Sequence, residues 1–305
     1  MSSGVSIIIP SIGEIKNLKK LIPSILAQDL GEMAVQIIVV LNGVSDDKYS
    51  VIRESFATNW PTVELLKIDD RGVNKARNAG LQKASQAIVI FLDDDCELHQ
   101  KSTIQKYAAL HFANPHLFAI GGGYILPDEY GLYDEVYNYI QMNWFVCGQK
   151  YSSGTLIETQ HLLGGNFSFK RELAIKHQLQ FEPTIAYGGS ELDFFKKALK
   201  AGLKLAATEL DVTHNTNETF GSVGKKVFKQ GKGKHFIDAK FGHDDVVSQA
   251  GGGRHLILRR IYSYWFWAGY YGAEGKIWKV LNHLFKDFFG YLNEVRFSII
   301  RKVSK

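Results

Sequence analysis

Cysteine is nearly missing from this chain: its 305 residues include two, Cys96 and Cys147. Their spacing suits neither a disulfide framework nor a metal cluster, which points to a reducing compartment. Long apolar runs are missing too, and none reaches the roughly 20 residues that a membrane-spanning helix needs. The first strand-like run begins at Val5, which leaves no room for a signal peptide, so a cytoplasmic chain is expected. There is no internal repeat, no low-complexity segment and no nucleic-acid-binding module, so no nucleic-acid partner is expected. What remains is ordinary in amount, with 45% hydrophobic and 22% charged residues. A chain of this length can bury one large core and carry an appendage.

The apolar residues are ordered as short β-branched runs alternating with helical patterns. Residues 5–10 (VSIIIP), 36–41 (QIIVVL), 63–68 and 88–92 (IVIFL) read as buried strands. Between them, residues 13–28 carry Leu18, Leu21, Ile22, Ile25 and Leu26 at helical spacing, and residues 46–56 and 74–85 suit two further helices. Asn42-Gly43 is a strong turn pair that stops the second strand. Such alternation predicts parallel βαβ units in a doubly wound, Rossmann-like α/β sheet. A last strand is expected over residues 204–212.

The most informative stretch follows the strand at 88–92, where Asp93, Asp94 and Asp95 stand in a row. Burying one carboxylate is costly, and crowding three adds like-charge repulsion, so a compensating cation is expected. Ligands of open α/β sheets gather beyond the carboxyl ends of the strands, where these acids fall. Side-chain alternation puts Asp93 and Asp95 on one side and Asp94 on the other. A solvated acidic turn is the plainer alternative for the three acids taken alone.

Six segments, VSIIIPSIGEIKNL, IIVVLNGVSDD, DRGVNKARNAGLQKA, IVIFLDDDCEL, GGNFSFKR and GGSELDFFKKALKAG, resemble in order and spacing the family 2 glycosyltransferases of GT-A fold, over roughly residues 4–215. The resemblance implies an inverting transfer from a nucleoside-diphosphate sugar, with UDP the expected carrier and Mg²⁺ or Mn²⁺ the expected cation. The acceptor is a hydroxyl of a glycan, lipid-linked or peptide molecule, in cell-envelope or exported polysaccharide and glycoconjugate synthesis. Within the Asp-x-Asp pattern it implies Asp95 as metal ligand, Asp93 against ribose or a metal-bound water, and Asp94 beside them. His214, in VTHN, is implied as a second metal contact. Pro10, Ser11 and Glu14 match the start of the nucleotide loop, with Ile12 and Gly13 in place of the family's usual aromatic and Asn. Asn42 stands where an aspartate commonly reads the base; an amide both donates and accepts, so base identity is open. Arg71, Gly72 and Arg77 approach the diphosphate, where a guanidinium fork suits phosphate oxygens, although Arg77 equally suits the surface of an amphipathic helix. Gly165 and Asn166 fall in the acceptor-side loop.

Inverting displacement needs a base for the acceptor hydroxyl, and a carboxylate on a rigid helix suits that task. Glu191 falls on the family's base position, with Asp193 the second candidate. Both also suit the first turn of a helix electrostatically, with Ser190 as N-cap. The Gly-spaced segment with Lys225, Lys226 and Lys229 reads either as a basic loop in solvent or as a cover over the diphosphate.

Charge is uneven along the chain. Residues 254–305 hold ten Lys or Arg against three Asp or Glu, so against a total of +5 the rest carries −2. This tail is aromatic in its first half and helical in pattern over residues 276–301, behind a Gly251-Gly252-Gly253 hinge. A catalytic domain over residues 1–250 and a basic helical extension over 251–305 are therefore expected. A basic amphipathic helix with aromatics suits the anionic inner face of the cell membrane as a peripheral site. The same pattern suits packing on the catalytic domain or across a homodimer. Two rivals stand beside the main reading. A nucleotidyltransferase of similar architecture would need a basic Gly-rich loop after the first strand, which SIGEIKNL does not supply. A non-catalytic nucleotide-sugar-binding scaffold would have no need to keep DDD, SELD and VTHN together.

Overall fold

The computed structural model describes residues 4–145, 155–185, 189–243, 255–273, 275 and 278–282. The first half is built as the alternation requires: β1 (Val5–Ser11), α1 (Ile15–Leu26), β2 (Val35–Asn42), α2 (Asp46–Asn59), β3 (Glu64–Ile68), α3 (Val73–Lys83) and β4 (Ile88–Leu92). β1 pairs in parallel with β2 on one side and β4 on the other, and β2 with β3. The chain winds outward from β1 to β3 and then returns to the far side of β1, so the winding reverses between β1 and β4. Beyond the carboxyl ends of those two strands lies the crevice where such sheets bind ligands. α1 buries Leu18, Leu21, Ile22 and Ile25 of the expected stripe, while Leu26 at its end is exposed. α3 lies so close to the sheet that a Cβ on Gly80 would come within 2.4 Å of Ile8 Cγ2.

The second half contains β5 (Cys96–Glu97), α4 (Thr103–Ala113), β6 (Leu117–Gly121), β7 (Tyr124–Ile125), α5 (Leu132–Phe145), β8 (Ile157–Thr159), β9 (Asn166–Lys170), α6 (Arg171–Lys176), α7 (Ser190–Lys200), β10 (Lys204–Ala207), β11 (Val212–His214), α8 (Phe220–Phe241) and α9 (Leu256–Ala273). The large sheet runs β3-β2-β1-β4-β9-β6-β10-β8, and a small one runs β5-β11-β7. β9 is antiparallel to both β4 and β6, and β8 to β10, so the sheet is mixed with a parallel majority. The single strand expected over 204–212 is two strands in different sheets: after Ala207 the chain turns, with Leu210 N–H on Thr208 O at 3.0 Å, and enters the small sheet. There His214 pairs with Cys96 and Thr213 with Glu97, which carries His214 to the end of the acidic row.

The segment with Lys225, Lys226 and Lys229 is no loop but part of α8, 22 residues long and opened by a reciprocal Thr219–Ser222 capping box. Its glycines serve contact. A Cβ on Gly231 would lie 2.0 Å from Phe266 O, and one on Gly269 would lie 2.0 Å from Phe228 O, so α8 and α9 meet backbone to backbone. Val136 and Tyr137 of α5, Val223 and Val227 of α8 and Tyr262 and Phe266 of α9 form a second core. Tyr262 and Phe266 of the aromatic tail are thus spent on protein packing. The expected Gly251–Gly253 hinge and most of the expected helix over 276–301 lie outside the described residues. Among the described residues no helix is long and apolar enough to cross a membrane.

Candidate active site

One cavity of about 1110 Å³ opens beyond the carboxyl ends of β1 and β4. Its floor is the acidic row, which leaves β4 buried and turns at once into β5 through a Cys96 N–H to Asp93 O bond of 3.1 Å. Asp94 accepts a short hydrogen bond from Ser11 Oγ at the end of β1. Burial pushes the Asp94 carboxyl up to about 7; the Ser11 bond opposes the shift and the neighbouring aspartates add to it. Burial also raises Asp93, against the pull of the Arg77 guanidinium. Asp95 differs. Burial favours its neutral form, but His214 overcomes this and holds the carboxyl below its ordinary value. His214 is raised in turn, the Asp95 charge outweighing its own burial.

His214 Nε2 stands 3.4 Å from Asp95 Oδ1, an oxygen that is buried without accepting a hydrogen bond. The ring is fixed by stacking on Tyr124, with centroids 4.3 Å apart. A hard carboxylate oxygen and an imidazole nitrogen thus face one spot, a donor set that fits a divalent cation. Among the described residues no third His, Cys, Asp or Glu joins them.

Across the cavity, Arg77 organises the other acid. Its side chain is 3% exposed, so the surface placement of this residue does not hold. One end donates to Ser190 Oγ at 3.1 Å and the other to Gly164 O at 2.7 Å. The guanidinium stands 3.5 Å from Asp93 Oδ1 and 3.8 Å from Glu191 Oε2, with the rings of Phe181 and Phe91 at 5.4 and 6.0 Å. A single buried cation thus ties the aspartate row to the start of α7. Gly189, at φ 78°, caps α7 in place of Ser190, which becomes its first residue and donates Oγ–H to Glu191 Oε2 at 2.7 Å. Gly164 and Gly165 leave the space: a Cβ on Gly164 would come 3.0 Å from both Arg77 Nη2 and Glu191 Oε2, and one on Gly165 2.3 Å from Asp93 Oδ2.

Pro10, Ser11, Asn42, Arg71, Gly72, Arg77, Asp93, Asp94, Asp95, Glu191 and His214 all line this cavity. Four expected residues do not. Asp193 has a fully buried side chain held at 2.6 Å by both Lys197 and Lys240, which is a clamp between α7 and α8 and no place for a base. Asn166 is fully buried, its amide donating to Gly123 O and Leu210 O and accepting from Tyr107. Gly165 underlies Asp93, its N–H bonded to Tyr124 Oη at 2.8 Å. Glu14 precedes α1 with its carboxylate near Lys48 Nζ, at 3.9 Å. Asn42 lines the cavity with its amide already engaged: it donates to Ser11 O at 2.8 Å and accepts from Gly72 N–H at 3.0 Å, bracing the two loops that flank the crevice. Tyr124 went unread in the sequence, and Lys226, read there as part of a basic loop or cover, stands on α8. Tyr124 directly follows the Gly121–Gly123 run, an aromatic beside permissive backbone that offered a signal. Lys226 has its ammonium on Glu218 and near the Tyr137 ring, and its charge helps hold Asp95 ionised.

The family model for glycosyl transferase family 2 matches residues 6–177. Glycosyltransferase AglE of Haloferax volcanii is 28% identical over 236 residues, covering 75% of this chain and 72% of that protein. The minor teichoic acid biosynthesis protein GgaB of Bacillus subtilis is 33% identical over 112 residues, 36% of this chain but 12% of that much longer protein. Among solved structures, the mannosyltransferase PcManGT from Pyrobaculum calidifontis, in complex with GDP-Man and Mn²⁺, superposes with a TM-score of 0.58 at 18% identity, over 94% of this chain and 80% of that one. TarS 1-349 from S. aureus, in complex with UDP-GlcNAc, gives a TM-score of 0.52 at 14% identity, over 87% and 81%. The structural likenesses establish the fold, and the family match spans more than half of the chain. With the acids gathered at the sheet's switch point, the chain belongs to glycosyl transferase family 2 and is a glycosyltransferase of GT-A fold.

Proposed function

We propose that this glycosyltransferase moves a sugar from a nucleoside-diphosphate sugar to an acceptor hydroxyl by in-line displacement, inverting the anomeric carbon. The observation that carries this reading is the pairing, in one cavity, of Asp95 and His214 at one end with Glu191 at the other, Arg77 bridging between Asp93 and Glu191. Asp95 and His214 would hold Mg²⁺ or Mn²⁺, which would supply positive charge to offset that gathering on the departing diphosphate. Arg71 and the Gly72 backbone line the diphosphate path. Glu191 Oε2, fixed by the Ser190 hydroxyl, takes the acceptor's proton while the new glycosidic bond forms. UDP is the proposed carrier. Neighbours of the same fold hold UDP-GlcNAc or GDP-Man, so both bases belong in a donor panel. Exposed Ile257 and Trp265 on α9 and Trp278 and Leu281 beyond it, interleaved with Arg260 and Lys279, support peripheral attachment to an anionic membrane, as in envelope glycoconjugate synthesis.

Release of nucleoside diphosphate from UDP- and GDP-sugars, with Mn²⁺, with Mg²⁺ and with chelator, tests the reading. Release should require the cation and collapse in Asp95→Asn. Glu191→Gln should lose release while retaining nucleoside-diphosphate binding. Cation-independent release, or a fully active Glu191→Gln, refutes the proposal.

A further inference from the structure

Tyr124 opens β7, which runs beside β11 in the small sheet, and it pairs there with Val212, two residues before His214. Residues two apart on a strand face the same side. The pairing therefore brings the tyrosine ring flat against the imidazole, with centroids 4.3 Å and planes 28° apart. The ring is pinned at both ends. Its main-chain N–H reaches Met142 Sδ of α5 at 3.2 Å, and its hydroxyl accepts the Gly165 N–H at 2.8 Å. Glycine makes that approach possible, since a Cβ on Gly165 would lie 2.5 Å from Tyr124 Oη. Gly165 O in turn accepts the Asp93 N–H at 3.2 Å, so the far end of the ring is tied to the main chain of the acidic row.

A metal-binding imidazole ordinarily takes its orientation from a hydrogen bond made by its second nitrogen. Among the described residues His214 has no such bond. Asp95 stands 3.4 Å from its Nε2, and the Tyr124 ring covers its face. A fixed aromatic plane keeps the imidazole from tipping and leaves Nε2 aimed at the Asp95 oxygen. Tyr124 is 3% exposed, so no water competes for that face.

We infer that Tyr124 is the positioning residue of the cation site: its pinned ring holds the His214 imidazole in the orientation that presents Nε2 to a divalent cation beside Asp95. This rests on the assignment of Asp95 and His214 to that cation. The face of the ring is the acting part, and the hydroxyl anchors it. Phenylalanine at this position keeps the plane, whereas methionine keeps only the bulk.

Calorimetric binding of UDP and of GDP to the full-length protein, with and without Mn²⁺, tests this without any turnover. By linkage, the rise in nucleotide affinity that Mn²⁺ causes measures how well the site holds the cation. Wild type should show that rise and His214→Ala should lose it. Tyr124→Met should shrink it roughly tenfold, the low end for a group that orients a metal ligand, while cation-free nucleotide affinity stays near wild type. Tyr124→Phe should keep the rise. In the His214→Ala background Tyr124→Met should cost nothing more, because the tyrosine acts through that ring. A further readout leaves position 124 unchanged. In NMR spectra of the wild-type protein the His214 ring protons, assigned with His214→Ala, should lie upfield of their ordinary positions, shielded by the face of the Tyr124 ring. A full rise in Tyr124→Met, a Tyr124→Phe that loses as much as Tyr124→Met, an additive loss in the double variant, or unshifted His214 protons overturns the inference and leaves the cation reading to His214→Ala. Equal losses with and without Mn²⁺ in Tyr124→Met mark ordinary packing and overturn it as well. If wild type shows no rise with Mn²⁺, the cation reading falls and the inference falls with it.

Discussion

Replacing Arg77 by methionine removes one buried charge and leaves two carboxylates facing the gap. The wild-type guanidinium is 3% exposed and makes two short donations, to Gly164 O at 2.7 Å and Ser190 Oγ at 3.1 Å. It also lies 3.5 Å from Asp93 and 3.8 Å from Glu191. Methionine keeps most of the contact with Phe91 and Phe181 but none of the charge. Breaking a buried pair by removing one partner typically costs about 3–5 kcal/mol, because the remaining charge stays in low dielectric. The carboxylates left behind are 36% and 29% exposed and can turn to water, which discounts this to about 1–3 kcal/mol. At roughly 2 °C per kcal/mol for a chain of this size, Arg77→Met should melt about 2–6 °C below wild type. Arg77→Lys keeps the charge but not the fork, so it should recover part of the loss and leave the Gly164 or Ser190 bond unmade. Differential scanning calorimetry of the three proteins decides the matter. A methionine variant melting within about 1 °C of wild type would show that Arg77 is not the tie between the aspartate row and α7.

Two other substitutions probe different links. Asp193→Asn removes a buried carboxylate whose lysine partners are partly exposed and can turn to water, so it should cost about 1–3 kcal/mol of stability. Its folded fraction should turn over donor at the wild-type rate, in contrast to Glu191→Gln, and stopped assays normalised to active enzyme distinguish the two. His111 is buried with Nε2 2.9 Å from Ser168 Oγ, whose own proton goes to Ile120 O, so the ring donates and stays neutral. Burial depresses His111 to about 3, so the unfolded chain takes up a proton below about pH 6.5 that the fold refuses. Stability from this residue is present above that pH and is lost as pH falls. From pH 7 to pH 5 the loss should be about 2 kcal/mol smaller in His111→Gln than in wild type, read from urea midpoints.

The first half of the fold was legible because each strand is a β-branched run too short for a helix and each helix carries its own apolar stripe. β4 begins and ends where its pattern places it, at Ile88 and Leu92, and Asp93–Asp95 follow in the crevice. The second half was harder because its order comes from long-range contacts. Nothing local in Asn166–Lys170 says that it runs antiparallel between β4 and β6, and nothing in the 204–212 run shows that Ala207 and Val212 belong to different sheets. Arg77 could be read either way, toward the diphosphate or on the helix surface, because Gly164 and Ser190, which bury it, lie 87 and 113 residues away. Asp193 and Glu191 are chemically alike and two residues apart. The approach of Lys240, 47 residues on, helps make Asp193 a buried clamp, while Glu191 stays in the cavity. Glycine misled over α8, since four glycines lower helix propensity locally, whereas Gly231 faces the α9 backbone and Gly233 the Gly189 cap of α7.

α8 makes sense of the whole arrangement. The acids at the end of β4 belong to the parallel sheet, and Glu191 belongs to a helix delivered through the mixed half, so the two ends of the chemistry arise from parts of the chain about 100 residues apart. Arg77 joins them from below, and α8 joins them from above. Lys226 acts on Asp95, Gly233 seats against Gly189, and Lys240 closes on Asp193. That wall is in turn held by α9 through the Gly231–Phe266 and Gly269–Phe228 contacts and by α5 through Tyr137. α9 is therefore linked through α8 to the wall of the cavity. Whatever engages the outer face of α9 bears on α8, a helix whose inner side lines the cavity.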